Sequence, residues 1–249
     1  MMPRGLRPVV LIACILAAWQ MLFWYAGSNA LTSPRDTIAF TLQLLGSANF
    51  YPHLIETARA FAVALGIAIS CGILIGFTLG LYRFAAQVGE PVLVALYSIP
   101  KLTLYPIVLL AFGIGMPAKI AFGAIHGIMP IAIFALGAVR NLNPIYAKAA
   151  RVMRLSPARI AAHVLFPAAI PEIFTGIRIG FSLTLIGTLL GEMFASQRGL
   201  GFLLIQAIGL HNIRLIMALT LLLVVIAVTA SALLLSVDRR LRRHMPGAN

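Results

Sequence analysis

The sequence has little charge and very little acid. Of its 249 residues, 10% are charged, and 6 Asp and Glu stand against 19 Lys and Arg. Soluble domains carry about 25% charged residues. A net charge of +13 would suggest nucleic-acid binding in a soluble protein, but 61% of this chain is hydrophobic. The basic residues are better explained as flanks of membrane spans, so we expect membrane lipids and no nucleic acid as partners.

The motifs of nucleotide and hydrolytic chemistry are missing as well. The chain has no GxxxxGK[ST], HExxH or CxxC, and no GxSxG with a credible base. It therefore lacks a P-loop for nucleotide phosphates. The acids are scattered singly, and Cys14 and Cys71 lie in separate apolar stretches, where we expect them to pack as small side chains. We predict no catalytic residue, no cofactor and no metal site in this chain.

Apolar stretches dominate what is present. Six of them approach or exceed the roughly 20 residues that cross a bilayer core: 8–27, 54–82, 91–115, 117–139, 173–195 and 213–236. We predict an all-α, polytopic membrane protein with six transmembrane helices. Residues 1–53 would hold an anchor helix and a polar, turn-rich connection, 54–240 the core, and 241–249 a basic tail. Residues 83–90 are expected to form a short connection.

The distribution of cations predicts the topology. With six spans, both termini, the 83–90 connection and the 140–171 segment share one side. That side holds Arg4, Arg7, Arg83, Arg140, Lys148, Arg151, Arg154, Arg159, Arg239, Arg240, Arg242 and Arg243; the other holds Arg35, Arg59, Lys119, Arg198 and Arg214. The excess places both termini in the cytoplasm.

The third span is interrupted. Pro100 and Pro106 remove backbone donors, which a membrane tolerates only where protein or a water-filled cavity shields the irregular backbone. Lys101 lies between them, and an intramembrane Lys marks a functional site by default, with snorkelling or structural pairing as the alternative. In the second span, Gly72, Gly76 and Gly80 recur every four residues and predict close helix packing.

The longest polar interruption, residues 141–171, carries several cations and no acid. Pro144 is suited to the start of one short helix, and Ser156-Pro157 to the N-cap and first turn of a second. A structured basic element between spans favours a docking surface, with simple cytoplasmic charge as the alternative.

This segment resembles the cytoplasmic signature loop of membrane subunits in binding-protein-dependent ABC importers. The loop has Glu-Ala-Ala, three residues, Gly, nine residues, then Ile-x-Leu-Pro. Here Lys148-Ala149-Ala150 is followed by three residues, Arg154, nine residues and Val164-Leu165-Phe166-Pro167. The spacing is kept, whereas Lys148 replaces the signature Glu and Arg154 the signature Gly.

Four further stretches resemble the branch of importers for nitrate, sulfonates and taurine. They are SIPKLTLYPIVLLAFGIGMPAKIA (98–121), GAVRNLNPIYAKAARVM (137–153), LFPAAIPEIFTGIRIGFSL (165–183) and GEMFASQRGLGFLL (191–204). Together the similarity covers about residues 54–240.

The resemblance implies a type I importer permease bundle with a coupling helix between spans 4 and 5. It implies a second permease chain, predicted to be identical, a cytoplasmic ABC ATPase dimer that binds ATP-Mg, and a periplasmic or lipid-anchored binding protein, in a bacterial inner membrane. The expected ATPase-coupling residues are Lys148, Ala149, Ala150, Arg154 and Pro167. The expected translocation-path residues are Ser98, Lys101, Tyr105 and Glu192.

Alternatives stay open for the solute and the energy source. A permease of the same build could carry another small solute, such as a pyrimidine precursor of thiamine. A secondary carrier driven by an ion gradient would usually show intramembrane acidic pairs, or inverted repeats with broken helices in both halves. The sequence shows one clearly broken span and no convincing repeat, which disfavours the carrier.

Overall fold

The computed structural model describes residues 6–243, and this part of the chain forms helices and no strands. The helices are α1 Leu6–Ala26, α2 Pro34–Leu45, α3 Tyr51–Leu81, α4 Arg83–Ser98, α5 Tyr105–Phe112, α6 Met116–Arg140, α7 Pro144–Val152, α8 Pro157–Ile160, α9 Phe166–Ala195, α10 Leu200–Gly209 and α11 Ile213–Arg243. A 3₁₀ turn, Lys101–Leu104, joins α4 to α5, and a π-helical turn, Ala161–Leu165, joins α8 to α9.

Residues 6–243 contain six candidate spans, and α10 is a shorter apolar helix beside them. Five of them are α1, α3, α6, the continuous path from α8 to α9, and α11. The sixth is the pair α4 and α5, whose axes are bent by 81° at the break between them. The predicted all-α membrane architecture is confirmed.

The core is a three-helix sandwich in which α6 lies between α3 and α9. Glycines allow the backbones to approach closely. A Cβ atom on Gly76 of α3 would lie 2.1 Å from the carbonyl oxygen of Ala132, and one on Gly180 of α9 would lie 2.5 Å from Ile131. Gly127 of α6 leaves room for Thr184 in the same way. The predicted packing role of the glycine ridge in the second span is confirmed.

Helix α1 lies at the periphery. Over Val9–Ala26 no residue is buried, as expected for a helix whose side chains face lipid. Its contact with the next segment includes a hydrogen bond from the indole Nε1–H of Trp19 to the carbonyl of Thr32, at 3.2 Å.

Two connections that we predicted to be irregular are helical. The polar stretch 28–53 contains α2, whose start is stabilised by the Ser33 hydroxyl accepting from the backbone N–H of Asp36. Residues 83–90 are the first half of α4, which continues through Pro91. The polar residues in these two stretches therefore belong to the exposed surfaces of helices and do not indicate loops.

Only one of the two prolines in the third span breaks it. The helix ends before Pro100, whereas Pro106 occupies the first turn of α5. A proline in the first turn removes an N–H that has no intrahelical acceptor, so it starts the second half of the span instead of interrupting it again.

The fifth span begins earlier than predicted. It runs without a break from Pro157 to Phe194 rather than from residue 173, so the second short helix is the beginning of the span. The π-helical turn ends at Leu165, two residues before Pro167. In a regular α-helix the proline ring would clash with the preceding turn, and the wider π-helical turn relieves that clash.

Candidate functional site

Helix α7 ends in a left-handed turn at Arg154. The backbone N–H of Leu155 donates to the carbonyl of Ala150, at 3.2 Å, and the N–H of Met153 donates to the carbonyl of Ala149, at 3.1 Å. Arg154 has φ +53°, in the left-handed region. A hydrogen bond from the sixth residue back to the first, with a left-handed residue just before the donor, defines the Schellman motif at a helix C-terminus. The left-handed residue of this motif is usually Gly.

Arg154 therefore keeps the backbone conformation for which the signature sequence supplies Gly. For a residue with a Cβ atom, the left-handed conformation is roughly 1–2 kcal/mol less favourable than the right-handed one, whereas glycine does not have this penalty. The substitution leaves the turn in place and makes it less favourable. The difference from the signature concerns the stability of the turn and its charge, not its geometry.

The second short helix starts as predicted. The Ser156 hydroxyl accepts from the backbone N–H of Arg159, at 3.4 Å, and Pro157 follows as the first helical residue. A Ser N-cap with Pro at N1 satisfies one free donor and needs none from the proline. The predicted starts of both short helices are confirmed, and Arg154 and Leu155 lie between the two helices, but the second helix continues into the fifth span.

Helix α7 presents an exposed apolar face. Ile145, Ala149 and Val152 follow at i, i+4 and i+7 on one side, and all three are exposed, Val152 by 84%. Ala150, by contrast, is 3% exposed and faces the protein. An apolar stripe of this spacing is typical of a helix that packs on a partner surface. Lys148 and Arg154 are also exposed beside it.

Pro167 lies outside this turn. It is half-buried in the first turn of α9, after the π-helical turn. Lys148, Ala149 and Arg154 thus form one exposed element, whereas Ala150 is buried behind it. Pro167 belongs to the base of the span that follows.

The predicted path residues Ser98 and Lys101 lie together at the bend of the third span. The Lys101 ammonium donates to the carbonyl of Tyr97, at 2.9 Å, and lies 4.7 Å from the centre of the Tyr97 ring. It therefore caps the last turn of α4, where cations are favoured. Ser98 is exposed, and its hydroxyl bonds the carbonyl of Val94 in its own helix.

Tyr105 begins the second half of that span and is buried. Its hydroxyl donates to the carbonyl of Gly191 in α9, at 3.1 Å, and its ring packs edge-on against Phe122 of α6. This contact fixes α5 against the core. It also brings Tyr105 beside the residue that precedes Glu192.

Glu192 is fully buried at the centre of a polar network. Both carboxylate oxygens accept from the Thr57 hydroxyl, at 2.9 Å, and Oε2 accepts from the backbone N–H of Gly201, at 3.0 Å. The Lys119 ammonium lies 3.8 Å from Oε1 and 2.9 Å from the carboxylate of Glu56. A buried carboxylate is tolerated when it is paired and hydrogen-bonded in this way.

The network holds the loop between α9 and α10 against the starts of α3 and α6. Lys119 also donates to the carbonyl of Arg198, at 3.1 Å, and the Gly199 N–H donates to Nδ1 of His53, at 3.1 Å. Gly199 has φ +129°, and a Cβ there would lie 2.2 Å from the Glu192 carboxyl carbon. The loop can close over Glu192 only with glycine at this position.

In the topology prediction, Lys119 counts among the cations of the non-cytoplasmic side. It is 1% exposed and ion-paired, so it carries no information about the positive-inside bias. Thr57 and Lys119 are the members of this network that sequence reasoning missed. The sequence did contain a signal for these partners, because acidic residues are scarce in it. Glu56 and Glu192 each lie at the end of a span, where a carboxylate needs a cation or a hydrogen-bond donor.

His126 is a buried packing residue between α6 and α9. Its Nδ1 lies 2.8 Å from the carbonyl oxygen of Phe122, and its ring lies against Gly187 of α9. The close fit of an imidazole to a glycine explains how a polar side chain is accommodated between α6 and α9.

Two relatives of known name are similar over most of their length. The chain is 33% identical to the nitrate import permease protein NrtB of Synechocystis sp. over 218 residues, which is 82% of this chain and 78% of the relative. It is 28% identical to the taurine transport system permease protein TauC of Escherichia coli over 82% of this chain and 78% of the relative.

A solved structure has the same fold. The chain matches a structure of inward-facing conformations of the MetNI methionine ABC transporter with a TM-score of 0.66 and 21% identity, covering 75% of this chain and 93% of the other.

These similarities agree with the family-level match. Residues 68–245 match the family described as the binding-protein-dependent transport system inner membrane component, which covers the core spans and the loop between α6 and α9. Members are transport permeases that work with an ATPase and a substrate-binding protein, not enzymes. This multi-pass membrane chain belongs to the family of binding-protein-dependent ABC transporter permeases.

Proposed function

We propose that two copies of this chain form the translocation path of an ATP-driven importer for a small anionic or zwitterionic solute of the nitrate, alkanesulfonate or taurine class. The similarity to a nitrate import permease over 82% of the chain carries the solute class. The shared chemistry of these solutes is an oxyanion group, which a cationic path would attract.

In this proposal, the exposed element of α7 and the turn after it couple the chain to a cytoplasmic ATPase dimer. The apolar face of Ile145, Ala149 and Val152 would seat in a groove of the ATPase, and the cations Lys148 and Arg154 would meet acidic groups at its edge. The small side chain of Ala149 permits close approach of the ATPase, and Ala150, which faces the protein, lets α7 lie close to its own chain. ATP and Mg²⁺ bind to the ATPase, and this chain holds no cofactor.

The topology follows from the same assignment. With the coupling element in the cytoplasm of a bacterium, both termini lie there as well, and the loop between α9 and α10 faces the periplasm. A periplasmic or lipid-anchored binding protein then delivers the solute to the face that contains the network around Glu192.

The path itself is assigned to the bend of the third span and its neighbours. Ser98 and Lys101 would contact the passing solute, because both lie where the helix is broken and exposed. Tyr105 and Glu192 would act as positioning residues, since each is buried and holds an element beside the path. This division is supported by their exposures and hydrogen bonds.

Reconstitution tests the proposal. The permease is purified with its ATPase, placed in proteoliposomes with the binding protein outside, and loaded with ATP inside. We expect uptake of nitrate, taurine or methanesulfonate that requires all three components. Uptake of a thiamine-type aminopyrimidine alone would favour the alternative solute. Uptake that proceeds without ATPase, driven by an ion gradient, would contradict the importer mechanism.

A further inference from the structure

A cavity of about 470 Å³ lies between α9 and α11, and Tyr97 of α4 forms one of its walls. Arg178 and Ser182 of α9 line it from one side, one helical turn apart, and Ser231 of α11 lines it from the other. All of these residues belong to helices that span the membrane.

The cavity is rich in donors that have no acceptor. The Arg178 guanidinium lies 3.6 Å from the Asp238 carboxylate, an ion pair too long for a hydrogen bond. Among the described residues, its N–H groups and the hydroxyls of Ser182 and Ser231 make no hydrogen bond with protein. Ser182 is exposed on this chain and Arg178 and Ser231 are half-buried, so their donors are open to the cavity. Because the core of a bilayer supplies no water to accept from them, a molecule inside the cavity would provide the missing acceptors.

The charges around the cavity are positive on balance. Lys101 lies over the face of the Tyr97 ring, and within residues 6–243 no carboxylate is within 4.0 Å of its ammonium group. Near the wall formed by Tyr97, the two cations Arg178 and Lys101 therefore outnumber the one carboxylate, Asp238. In a membrane span, such cations face the protein interior or a water-filled cavity, and a low dielectric strengthens their attraction for an anion.

We infer that this cavity is a binding site for the oxyanion group of the transported solute, with Arg178, Ser182 and Ser231 as its donors. The inference rests on the proposed function and deepens it by naming the site. The planar guanidinium can donate to two oxygens of a nitrate or sulfonate at once, and the two hydroxyls can donate to the remaining oxygen. The volume admits such a group together with water.

The test measures anion binding by the permease–ATPase complex without binding protein, in nanodiscs of phosphatidylcholine. Sodium nitrate or sodium methanesulfonate replaces sodium gluconate at constant ionic strength, and thermal unfolding is followed. We expect each probe to raise the unfolding temperature in a saturable manner. The double variant Ser182→Ala/Ser231→Ala should raise the half-saturating concentration about tenfold or more, because hydrogen bonds to a charged group are lost.

A second variant protects the test against misfolding. Because Arg178 lies beside the Asp238 carboxylate, the double variant Arg178→Gln/Asp238→Asn removes both charges together and should abolish the anion effect. Ser70→Ala is the matched control, because the Ser70 hydroxyl bonds a carbonyl of its own helix, α3, away from the cavity. It should bind the probes as the wild type does.

Three outcomes would overturn the inference: no anion effect in the wild type, an equal effect in the cavity variants, or stabilisation that appears only when phosphatidylglycerol replaces part of the phosphatidylcholine. The last would assign the cavity to a lipid phosphate. ATP-dependent uptake by the wild type, measured in parallel, separates this result from a failure of the proposed function.

Discussion

The backbone N–H of Leu155 donates to the carbonyl of Ala150, at 3.2 Å, and so closes helix α7 across a left-handed residue. The intervening position, Arg154, stands where the importer signature has Gly. Because the backbone turn is present with an arginine in it, its geometry is set by the hydrogen bonds of the helix ending rather than by the glycine itself.

Arg154→Gly should stabilise the turn. Relief of the left-handed conformation gains about 1 kcal/mol, reduced by the greater freedom of glycine in the unfolded chain. We expect the unfolding temperature of the complex to rise by up to about 4 °C, with ATPase stimulation maintained or increased. Arg159→Gly is the control: it lies in a right-handed helical turn and should destabilise by about 1 kcal/mol. Equal shifts for both variants would contradict the role of the left-handed turn.

Ala149→Trp should uncouple transport from ATP hydrolysis. The side chain is exposed on the apolar face of α7, so an indole there blocks close seating on the ATPase and leaves the fold intact. Binding-protein-stimulated ATPase activity and solute uptake should fall at least about tenfold, as expected for loss of about 1.4 kcal/mol or more of productive docking. Ala30→Trp, an exposed site in the loop between α1 and α2, is the control. Normal uptake by the Ala149 variant would remove this residue from the coupling surface.

Lys101→Met should weaken solute uptake. The ammonium group is a cation at the break of the third span, and its loss removes the attraction for an anion. We expect the half-saturating solute concentration for uptake to rise about tenfold, with Lys101→Arg close to wild type because the charge is retained. If the Met and Arg variants take up solute equally well, Lys101 serves only to cap α4.

Gly76→Ala should destabilise the core. The added Cβ would lie 2.1 Å from the Ala132 carbonyl oxygen, so α3 and α6 must separate. We expect a loss of about 1–3 kcal/mol, measured as a lower unfolding temperature. Gly66→Ala in the same helix is the matched control, because nothing lies within 4 Å of a Cβ there. It should be neutral or stabilising by up to about 1 kcal/mol.

Glu192→Ala should also destabilise the protein, by about 3 kcal/mol. The change leaves the buried Gly201 N–H without its acceptor, at a cost of about 1–3 kcal/mol. It also removes the bonds from the Thr57 hydroxyl to the carboxylate, and that hydroxyl keeps only the carbonyl of His53 as an acceptor, at 3.2 Å. The packing of the Glu192 side chain is lost as well. Thermal unfolding of the purified complex checks this. The control is Glu172→Ala, an exposed position in α9, for which we expect a change below about 0.5 kcal/mol. A melting temperature unchanged in the Glu192 variant would show that the network contributes nothing to stability.

The prolines show what the local sequence can predict about helix breaks and what it cannot. Pro100 and Pro106 both predict a break, but only the first produces one, because Pro106 falls in the first turn of the next helix. Similarly, Pro157 was predicted to start a short helix, and it does, but that helix continues into the fifth span. A proline specifies a local restriction on the backbone; the position of the helix start decides whether the restriction disrupts anything.

The sequence alone determined the membrane class, the six spans, the spacing of the signature and the glycine ridge, since each depends on local hydrophobicity or on residues near one another in the chain. The tertiary structure decided which polar groups pair. Thr57 and Glu192 are 135 residues apart, and Lys119 reaches both Glu56 and Glu192. Their contact depends on how α3, α6 and α9 pack, which no local pattern specifies. The left-handed turn at Arg154 is local by contrast: the hydrogen bonds that close α7 and start α8 impose it, although the arginine side chain disfavours it.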